Sequence, residues 1–551
     1  MAVFVLVWLL AGIAAAAGPG KPGIASAHPL ATRAGYEILE QGGNAFDAAV
    51  AVAGALAVVE PHSSGLGGGG FFLLYVADQD RYVFVDARET APLAVTADLY
   101  ADENGKPVRG RSLNGPLAAG IPGEPAGLVH LAMRYGRLPL KDSLAPAIGY
   151  AENGFPAYRR MLAGLKFRRR TAEQWPAFGK VFYPQGRNLE PGERVIQHDL
   201  AATLKRLAEQ GFDGYYRGTT AKRLVDGVRA AGGIWSREDL EGYHVVEREP
   251  IRSNYRGTRI ISAPPPSSGG IALTDMLNII AGFDFQHLDA VERKHVQIEA
   301  MRRAYRDRAL YLGDPDFVSV PADRLMHPYY ADGQRSSIRL DRATRSIDLP
   351  GLWPAAREHP QTTHFSIIDA AGNRVAATIT INGWYGSAFM PPGTGVILNN
   401  EMDDFAMAPG VPNGFNLLGG VANSVAPGKR PLSSMSPTFL ESDRGVAILG
   451  TPGGSRIITM VLFGTLSWID GATAAQMVEQ KRFHHQYYPD QVVYEQGAFT
   501  DEERAGLEAR GHKLVRARRN YGNMNVVTWD YSTGAVETAT DPRGHVEGRM
   551  Y

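Results

Sequence analysis

The stretch Gln361-Thr362-Thr363-His364-Phe365-Ser366 marks the point where the character of this 551-residue chain changes. The sequence predicts a strand over residues 363–369, a turn over residues 370–373 and a second β-rich strand over residues 374–381. Thr362 therefore stands at the very start of a predicted hairpin, directly after a loop.

A threonine in this position suits one kind of chemistry. Its hydroxyl is a poor nucleophile at neutral pH because it is almost never ionised. If the chain is cleaved before Thr362, the new α-amino group, with a pKa of about 8, can take the hydroxyl proton. Two threonines at the start of a strand also fit ordinary β-propensity. The stretch alone leaves both interpretations open.

From Gly23 onward the pattern is mixed α/β, and residues 117–314 are predicted to be mostly helical. An Ala-rich helix is predicted over residues 44–59, with Asn44 as its N-cap and Asp47 three residues later.

Two glycine-rich turns are placed where backbone groups can serve a site. The run Gly65–Gly70 precedes a predicted strand over residues 71–76. A phosphate-binding loop would precede a helix instead, so this function is excluded. The run is predicted to pack its backbone closely beside a site. The turn Gly453-Gly454-Ser455 precedes a predicted apolar helix over residues 457–469. Backbone N–H groups at a helix N-terminus stabilise an anion.

Composition excludes several functional classes. Lys plus Arg and Asp plus Glu are both 57, so the basic excess of a nucleic-acid binder is missing. The one basic run, residues 166–170, is predicted to be a solvated helix face. The absence of cysteine excludes disulfides, thiolate metal sites and a cysteine nucleophile. The adjacent pair His484-His485 points its rings apart, so no metal site is predicted, and no cofactor is expected.

Residues 1–17 are interpreted as a signal peptide. Residues 3–17 form an uninterrupted apolar run, and Ala15-Ala16-Ala17 fits the small-residue rule for cleavage. The run is short for a membrane span, and the segment before it has no Lys or Arg. We expect a periplasmic or secreted protein, and anchoring by a retained segment stays open.

Several blocks of the chain together resemble the γ-glutamyltransferase family, over nearly the whole length and in the family's order. After the predicted cleavage point the matching blocks are residues 362–366, 399–405, 429–437 and 452–456. Before it they are residues 27–31, 42–49, 65–70, 86–89, 264–270 and 311–315. The resemblance implies an α/β fold, the four-layer αββα sandwich of the N-terminal-nucleophile hydrolases.

The same resemblance implies a precursor that cleaves itself between Gln361 and Thr362. The products are a large subunit of residues 18–361 and a small subunit of residues 362–551, which form one αββα unit. The implied activity is transfer of a γ-glutamyl group from glutathione or a related amide, through an ester on Thr362, to water, an amino acid or a dipeptide. No nucleic acid and no stable membrane partner is expected.

The resemblance also implies roles for individual residues. Thr362 is the nucleophile, Thr380 orients it, and Gly453 and Gly454 form the oxyanion hole. The substrate's α-carboxylate and α-ammonium groups have separate binders. The carboxylate binders are Arg88, Ser433 and Ser434, and the ammonium binders are Asn382, Glu401 and Asp404. Residues 409–415 resemble a lid loop, although Phe415 replaces a tyrosine found in some relatives. Residues 383–387 also differ from the Thr-rich segment that some relatives have at this position.

Two other functions are compatible with parts of this pattern. A cephalosporin-type or other amide acylase would keep the fold and the nucleophile but change the substrate. An uncleaved γ-glutamyl or amino-acid binding protein would keep the pocket without the chemistry. The residues that would bind the α-carboxylate and α-ammonium groups of the substrate argue against an acylase. The presence of Thr362, Thr380 and the glycine pair argues against a binding protein without catalysis.

Overall fold

Two six-stranded antiparallel sheets, stacked face to face and flanked by helices, form the protein. The structure is a computed structural model that describes residues 18–104, 108–351, 362–406, 413–414 and 416–544. The predicted signal peptide, Gln361 and most of the predicted lid, including Phe415, lie outside these described residues.

The strands are numbered in chain order. Their bounds are β1 Gly23–Ser26, β2 Gly69–Val76, β3 Arg81–Ala87, β4 Phe155–Pro156, β5 Arg194–Val195, β6 Val246–Arg248, β7 Ile251–Tyr255, β8 Thr258–Ser262, β9 Thr363–Ile368, β10 Arg374–Thr380, β11 Thr438–Ser442, β12 Gly445–Gly450, β13 Phe483–His484, β14 Val492–Tyr494, β15 Leu514–Arg516, β16 Asn525–Asp530 and β17 Val536–Thr540.

The α-helices are numbered in the same way. Their bounds are α1 Pro29–Glu40, α2 Ala45–Val59, α3 Arg109–Leu113, α4 Glu124–Tyr135, α5 Leu140–Asn153, α6 Arg159–Ala172, α7 Pro176–Phe182, α8 His198–Gln210, α9 Phe212–Tyr216, α10 Gly218–Ala230, α11 Arg237–Glu241, α12 Gly269–Ala281, α13 Ala290–Tyr311, α14 Ala322–Leu325, α15 Pro328–Arg335, α16 Ile457–Ile469, α17 Ala474–Glu479 and α18 Asp501–Ala509.

Sheet one has the strand order β1-β9-β10-β2-β3-β6, and sheet two has the order β17-β16-β12-β11-β8-β7. Each sheet therefore contains strands from before Thr362 and strands from after it. The predicted hairpin is present as β9 and β10, and its register pairs Thr363 with Ile379.

Each sheet buries a helical layer on its outer face. Along β9, Phe365 and Ile367 belong to the apolar core that α1 and α2 share, whereas Ile368 belongs to the core that includes sheet two, α12, α13 and α16. Alternate side chains of one strand point to opposite faces. The order of layers is thus helix, sheet, sheet, helix, and the predicted four-layer αββα sandwich is confirmed.

Helix α2 begins as the sequence predicts. The Asn44 side chain accepts hydrogen bonds from the amides of Phe46 and Asp47, and the Asp47 carboxylate accepts one from the Asn44 amide. This capping box satisfies amides at the helix start that have no partner within the helix. Every residue of α2 is buried, and its small side chains allow α1 and α5 to pack closely against it.

The Gly65–Gly70 loop shows the predicted close backbone packing. A Cβ atom at Gly68 would lie 2.0 Å from the carbonyl oxygen of Thr380, closer than any real contact. The strand that follows begins at Gly69, two residues earlier than predicted, because Gly69 and Gly70 pair with β10.

The basic run of residues 166–170 lies on α6, as predicted, but the prediction of a solvated face was wrong for Arg168. The Arg168 side chain is buried and donates hydrogen bonds to the Asn114 side chain and the Gly386 carbonyl, both at 2.9 Å. Position 168 falls on the side of the helix that faces the protein, where these acceptors satisfy the charge. Within the described ranges, no helix combines the length and apolar character that crossing a membrane requires.

Candidate active site

The β9–β10 hairpin brings two threonine hydroxyls together. Thr362 stands one residue before β9 and Thr380 ends β10, and their Oγ1 atoms are 3.3 Å apart. The backbone amide of Asn382 donates to Thr380 Oγ1 at 2.8 Å. This arrangement suits a Thr380 hydroxyl that donates its proton towards Thr362.

A buried polar layer between the sheets supports this end of the hairpin. His364 contacts the Thr378 hydroxyl at 2.8 Å and the Ser366 hydroxyl at 3.1 Å, and its carbonyl accepts a hydrogen bond from Asn525. Burial lowers the pKa of His364 to about 3, so the ring is neutral. Gly450 makes room for this ring, since a Cβ there would lie 2.3 Å from it.

The turn at Gly453 and Gly454 lies at the start of α16, as predicted. Both glycines have positive φ, 150° and 56°, which other residues rarely adopt. A short 3-10 helix, Gly454–Arg456, leads directly into α16. The Tyr305 hydroxyl of α13 donates to the Ser455 carbonyl and holds the turn in place.

One pocket brings together most of the predicted site residues. Gly453 does not line it but directly precedes Gly454, which does, and Gln361 lies outside the described residues. The residues that line the pocket are Arg88, Arg308, Thr362, Thr380, Asn382, Glu401, Asp404, Leu417, Ser433, Ser434, Met435, Gly454, Ser455 and Ile457.

Arg88 is the electrostatic centre of this pocket. Its guanidinium lies 2.6 Å from Asp404, 3.0 Å from Glu401 and 3.4 Å from Glu89, and its Nε donates to the Pro431 carbonyl. These carboxylates raise the pKa of Arg88 above its ordinary value despite its burial. The predicted carboxylate binder is therefore paired here with two predicted ammonium binders.

Burial acts on the two glutamates in the opposite direction. It raises the pKa of Glu89 to about 7, although Arg88 pulls the value down. It raises the pKa of Glu401 well above the ordinary range, and the nearby carboxylates add to the shift. An ammonium group near Glu401 would stabilise its ionised form.

Asn382 adopts the left-handed conformation, with φ of 70°, at the point where β10 turns away. Its side-chain amide donates to the Asn400 carbonyl at 2.9 Å, and the Asn400 side chain accepts from the Gly383 amide at 2.8 Å. These contacts compensate a backbone conformation that costs energy for a residue other than glycine.

The Ser433-Ser434 loop is fixed through its backbone. The Ser433 carbonyl accepts hydrogen bonds from both the amide and the hydroxyl of Ser268, at 2.9 and 2.7 Å. The Ser434 hydroxyl is buried without a hydrogen-bond partner among the described residues. A buried hydroxyl aimed into a pocket is available to a ligand, since burying it unsatisfied costs about 1–3 kcal/mol.

Arg308 is a pocket residue that the sequence analysis missed. It lies on α13, four residues after Ala304 and seven after Met301, on the buried side of the helix. The sequence offered little to distinguish it, because α13 also buries the charged side chains of Glu299, Arg302, Arg303 and Asp307.

One buried group elsewhere, His295, Glu299 and His512, brings together side chains of metal-binding type within the described part of the chain. His295 and His512 hydrogen-bond to each other at 2.8 Å, and His295 also contacts the Arg339 carbonyl. The Glu299 carboxylate is held by Arg302 and Arg303. These contacts use both ring nitrogens of His295 and the Glu299 carboxylate, whereas His512 Nδ1 is buried without a hydrogen-bond partner among the described residues.

Comparison with known proteins identifies relatives across the chain. The profile of the family described as "Gamma-glutamyltranspeptidase" matches residues 31–551. A Glutathione hydrolase proenzyme from Pseudomonas sp. (strain A14) is 43% identical over 498 residues, covering 89% of this chain and 86% of that protein. The Acylase ACY 1 proenzyme from Pseudomonas sp. (strain SE83) is 39% identical over 516 residues, covering 91% of this chain and 89% of that protein.

Solved structures agree with these matches. The cephalosporin acylase from Bacillus halodurans has a TM-score of 0.83 at 29% identity and covers 96% of this chain and 95% of its own. The gamma-glutamyltranspeptidase of Helicobacter pylori has a TM-score of 0.57 at 39% identity and covers 60% of this chain and 96% of its own chain. From the match over residues 31–551, this chain belongs to the gamma-glutamyltranspeptidase family.

Proposed function

We propose that this protein is a γ-glutamyltransferase and glutathione hydrolase whose nucleophile is Thr362. One observation carries the proposal. The hydrogen-bonded pair Thr362 and Thr380 lines a single pocket together with the residues predicted to bind the α-carboxylate and those predicted to bind the α-ammonium group. The relative named Glutathione hydrolase proenzyme, 43% identical over most of the chain, supports the same activity.

The first reaction is cleavage of the precursor before Thr362. The Thr362 hydroxyl attacks the Gln361 carbonyl carbon, the peptide C–N bond breaks, and the Thr362 nitrogen takes up a proton. Water then hydrolyses the ester and leaves a carboxylate on Gln361 and a free α-amino group on Thr362. The name proenzyme among the relatives supports such processing. So does the Helicobacter pylori match, which spans a share of this chain similar to that of residues 18–361.

The second reaction is γ-glutamyl transfer on the same hydroxyl. The α-amino group of Thr362 takes the hydroxyl proton as the oxygen attacks the γ-carbonyl of the donor. The donor's C–N bond breaks, and its amine leaves with that proton. Negative charge on the carbonyl oxygen is stabilised by backbone amides at Gly453 and Gly454, at the start of α16. Water or an acceptor amine then attacks the ester and restores the hydroxyl.

The pocket would distinguish a γ-glutamyl group by its two charged ends. Arg88, Ser433 and Ser434 supply donors for the α-carboxylate. Asn382, Glu401 and Asp404 supply acceptors for the α-ammonium. Binding would exchange the internal pairs of Arg88 for pairs with the substrate, so that the buried charges remain compensated.

An amide acylase is the main alternative, because the acylase relatives share this fold and a similar degree of identity. The charged pocket argues against it. Arg88, Glu401 and Asp404 line the pocket together with Thr362. An apolar acyl group would have to lie against these charged side chains without offering them any polar contact. A binding protein without catalysis is the second alternative, and it would remain a single uncleaved chain.

The experiment is release of p-nitroaniline from L-γ-glutamyl-p-nitroanilide, with and without glycylglycine. We expect wild-type protein to run as two chains on a denaturing gel and to release p-nitroaniline faster with glycylglycine. The Thr362→Ala variant should remain one chain and release none. A fully cleaved wild-type protein that ignores this substrate would reject the γ-glutamyl assignment and favour another amide. An active but uncleaved Thr362→Ala variant would reject the nucleophile.

A further inference from the structure

Arg308 differs from Arg88 in how its charge is compensated. Both guanidinium groups are buried and line the same pocket. Arg88 has three carboxylates within 3.4 Å. Arg308 makes no ion pair with any residue that the structure describes, and its single hydrogen bond there runs from Nε to the Ser268 hydroxyl at 3.0 Å.

The environment of Arg308 is unfavourable for a cation. Its pKa is lowered to about 10, mainly by burial and to a smaller extent by the charge of Arg88. Only Tyr305 and Asp404 act in the opposite direction. A buried charge normally has a paired partner, and an uncompensated one costs several kcal/mol. The terminal nitrogens of Arg308 are therefore available to bind an anion that enters the pocket.

The hydrogen-bonded neighbours of Arg308 indicate where that anion sits. Arg308 holds the Ser268 hydroxyl, which in turn donates to the carbonyl of Ser433. The next residue, Ser434, presents its unpartnered hydroxyl to the same pocket. Arg308 and the serine pair thus line the same pocket and are linked through Ser268, on a side of the pocket that α13 supports.

We infer that Arg308 is a specificity-determining residue that binds the α-carboxylate of the γ-glutamyl group together with Ser434. The inference rests on the proposed γ-glutamyl activity. Under this inference Arg88 and Arg308 share the binding of the carboxylate, because Arg88 is paired with Glu401 and Asp404, whereas Arg308 forms no ion pair among the described residues. A planar guanidinium with two terminal nitrogens suits bidentate binding of a carboxylate.

The test compares two substrates on each cleaved protein. The first is L-γ-glutamyl-p-nitroanilide, and the second is its α-carboxamide, which keeps the size and the ammonium group but lacks the negative charge. Hydrogen bonds to charged groups are the stronger ones, so Arg308→Gln should lower kcat/KM for the first substrate by about 10- to 100-fold, mainly through KM. For the α-carboxamide we expect less than about a 2-fold change. Because both substrates are measured on one preparation, incomplete processing cancels in the ratio.

Two further variants and one binding measurement complete the design. Arg308→Lys keeps the charge without the planar fork and should recover part of the lost preference; it also replaces Arg308→Gln if that variant does not cleave. Arg293→Gln, an exposed arginine on the same helix, should behave as wild type. The rise in melting temperature of each cleaved protein with L-glutamate is compared with the rise with L-isoglutamine, which lacks the α-carboxylate charge. This measurement needs no turnover. It therefore tests the inference even if the α-carboxamide substrate reacts too slowly.

The outcomes separate the inference from the function on which it rests. A wild-type protein inactive on L-γ-glutamyl-p-nitroanilide rejects the proposed function. An active wild type with equal losses on both substrates, and an equal loss of stabilisation by both ligands, rejects the inference and leaves Arg308 as a support for Ser433. A selective loss for the charged substrate and ligand supports the inference.

Discussion

At the scale of the residue, the site depends on two closely spaced hydroxyl groups and on carboxyl groups whose pKa values are shifted by burial. The Thr362 and Thr380 hydroxyls are 3.3 Å apart, and the Asn382 amide fixes the second one from behind. Around them, burial shifts the pKa of several carboxyl groups towards or above neutrality. Each of these features can be removed by one substitution.

The Thr380→Val variant tests the threonine pair. Valine keeps the shape of the side chain but cannot donate to Thr362, so kcat should fall by about 10- to 100-fold, the value of a hydrogen bond to a charged or developing-charge group. Thr380→Ser, which retains the hydroxyl, is the matched control and should stay within a few-fold of wild type. Steady-state kinetics on cleaved protein provide the measurement. Equal activity of the valine and serine variants would remove Thr380 from the mechanism.

The Glu124→Gln variant tests a buried carboxyl behind the glycine-rich loop. Burial raises the pKa of Glu124 to about 8, and its carboxyl accepts a hydrogen bond from the Gly65 amide at 3.4 Å. Folding therefore favours the protonated form. The unfolded state releases this proton near pH 4.5 and the folded state near pH 8, so stability falls as pH rises between these values.

Glutamine imitates the protonated glutamate and should flatten that decline. The contribution of one such group is about 1.4 kcal/mol per pH unit within the window. Thermal melts at several pH values between 5 and 9 measure it, and Glu209→Gln, at an exposed position, is the control. A decline equally steep in wild type and Glu124→Gln would contradict the assignment.

At the scale of the element, the hairpin end and the glycine-rich loop hold each other in register. Gly67, Gly68 and Gly70 all lie where a Cβ atom would enter the backbone of the facing segment. The Gly68 carbonyl also accepts the amides of Gly123 and Glu124, which start α4. The position of Thr380 is therefore set by a contact between two backbones.

The Gly68→Ala variant should disturb the site without touching the pocket. Its methyl group would lie 2.0 Å from the Thr380 carbonyl oxygen and must push the end of β10 away. Displacing a catalytic group by about 1 Å costs on the order of 100-fold in rate, so we expect slower self-cleavage and a matching loss of kcat. The time course of cleavage on denaturing gels measures the first effect.

Gly149→Ala is the control for this variant. Gly149 lies inside α5, and a Cβ there meets nothing within 4 Å. Alanine should leave activity unchanged and stabilise the helix by about 0.5–1 kcal/mol. Normal cleavage and kinetics in Gly68→Ala would show that the loop can shift without moving Thr380.

At the scale of the whole molecule, the two proposed subunits are interwoven. Sheet one takes β1, β2, β3 and β6 from before Thr362 and β9 and β10 from after it, and β1 pairs with β9. Sheet two likewise pairs β8 with β11. Both apolar cores contain residues from both parts. The proposed cleavage before Thr362 would break one bond and leave these ladders intact.

We expect the cleaved chains to stay together in native buffer. Wild-type protein should elute in gel filtration at the position of the uncleaved Thr362→Ala variant and separate into two chains only under denaturing conditions. The physical reason is that dissociation would expose the hydrogen-bonding edges of β9 and β11 and most of both cores. Two separate native peaks for the cleaved protein would contradict the interwoven arrangement.

The sequence by itself determined the elements and the family. Local rules were sufficient for the capping box at Asn44, the β9–β10 hairpin and the helix after Gly454, because each depends on residues a few positions apart. The resemblance to the family indicated the four-layer fold and nine of the residues that line the pocket. The resemblance depends only on the types and order of residues in the matching blocks, and both are given by the sequence.

Only the tertiary structure decided which charges are compensated. Arg88 and Arg308 are 220 positions apart. No spacing rule indicates that Arg88 forms ion pairs with three carboxylates, whereas Arg308 forms none within the described part of the chain. The buried Arg168 shows the same limit, since its partners Asn114 and Gly386 come from distant segments. Pairing and burial of charge arise from long-range packing, which also sets the pKa values of Glu89 and Glu401 and thereby the chemistry that the pocket can perform.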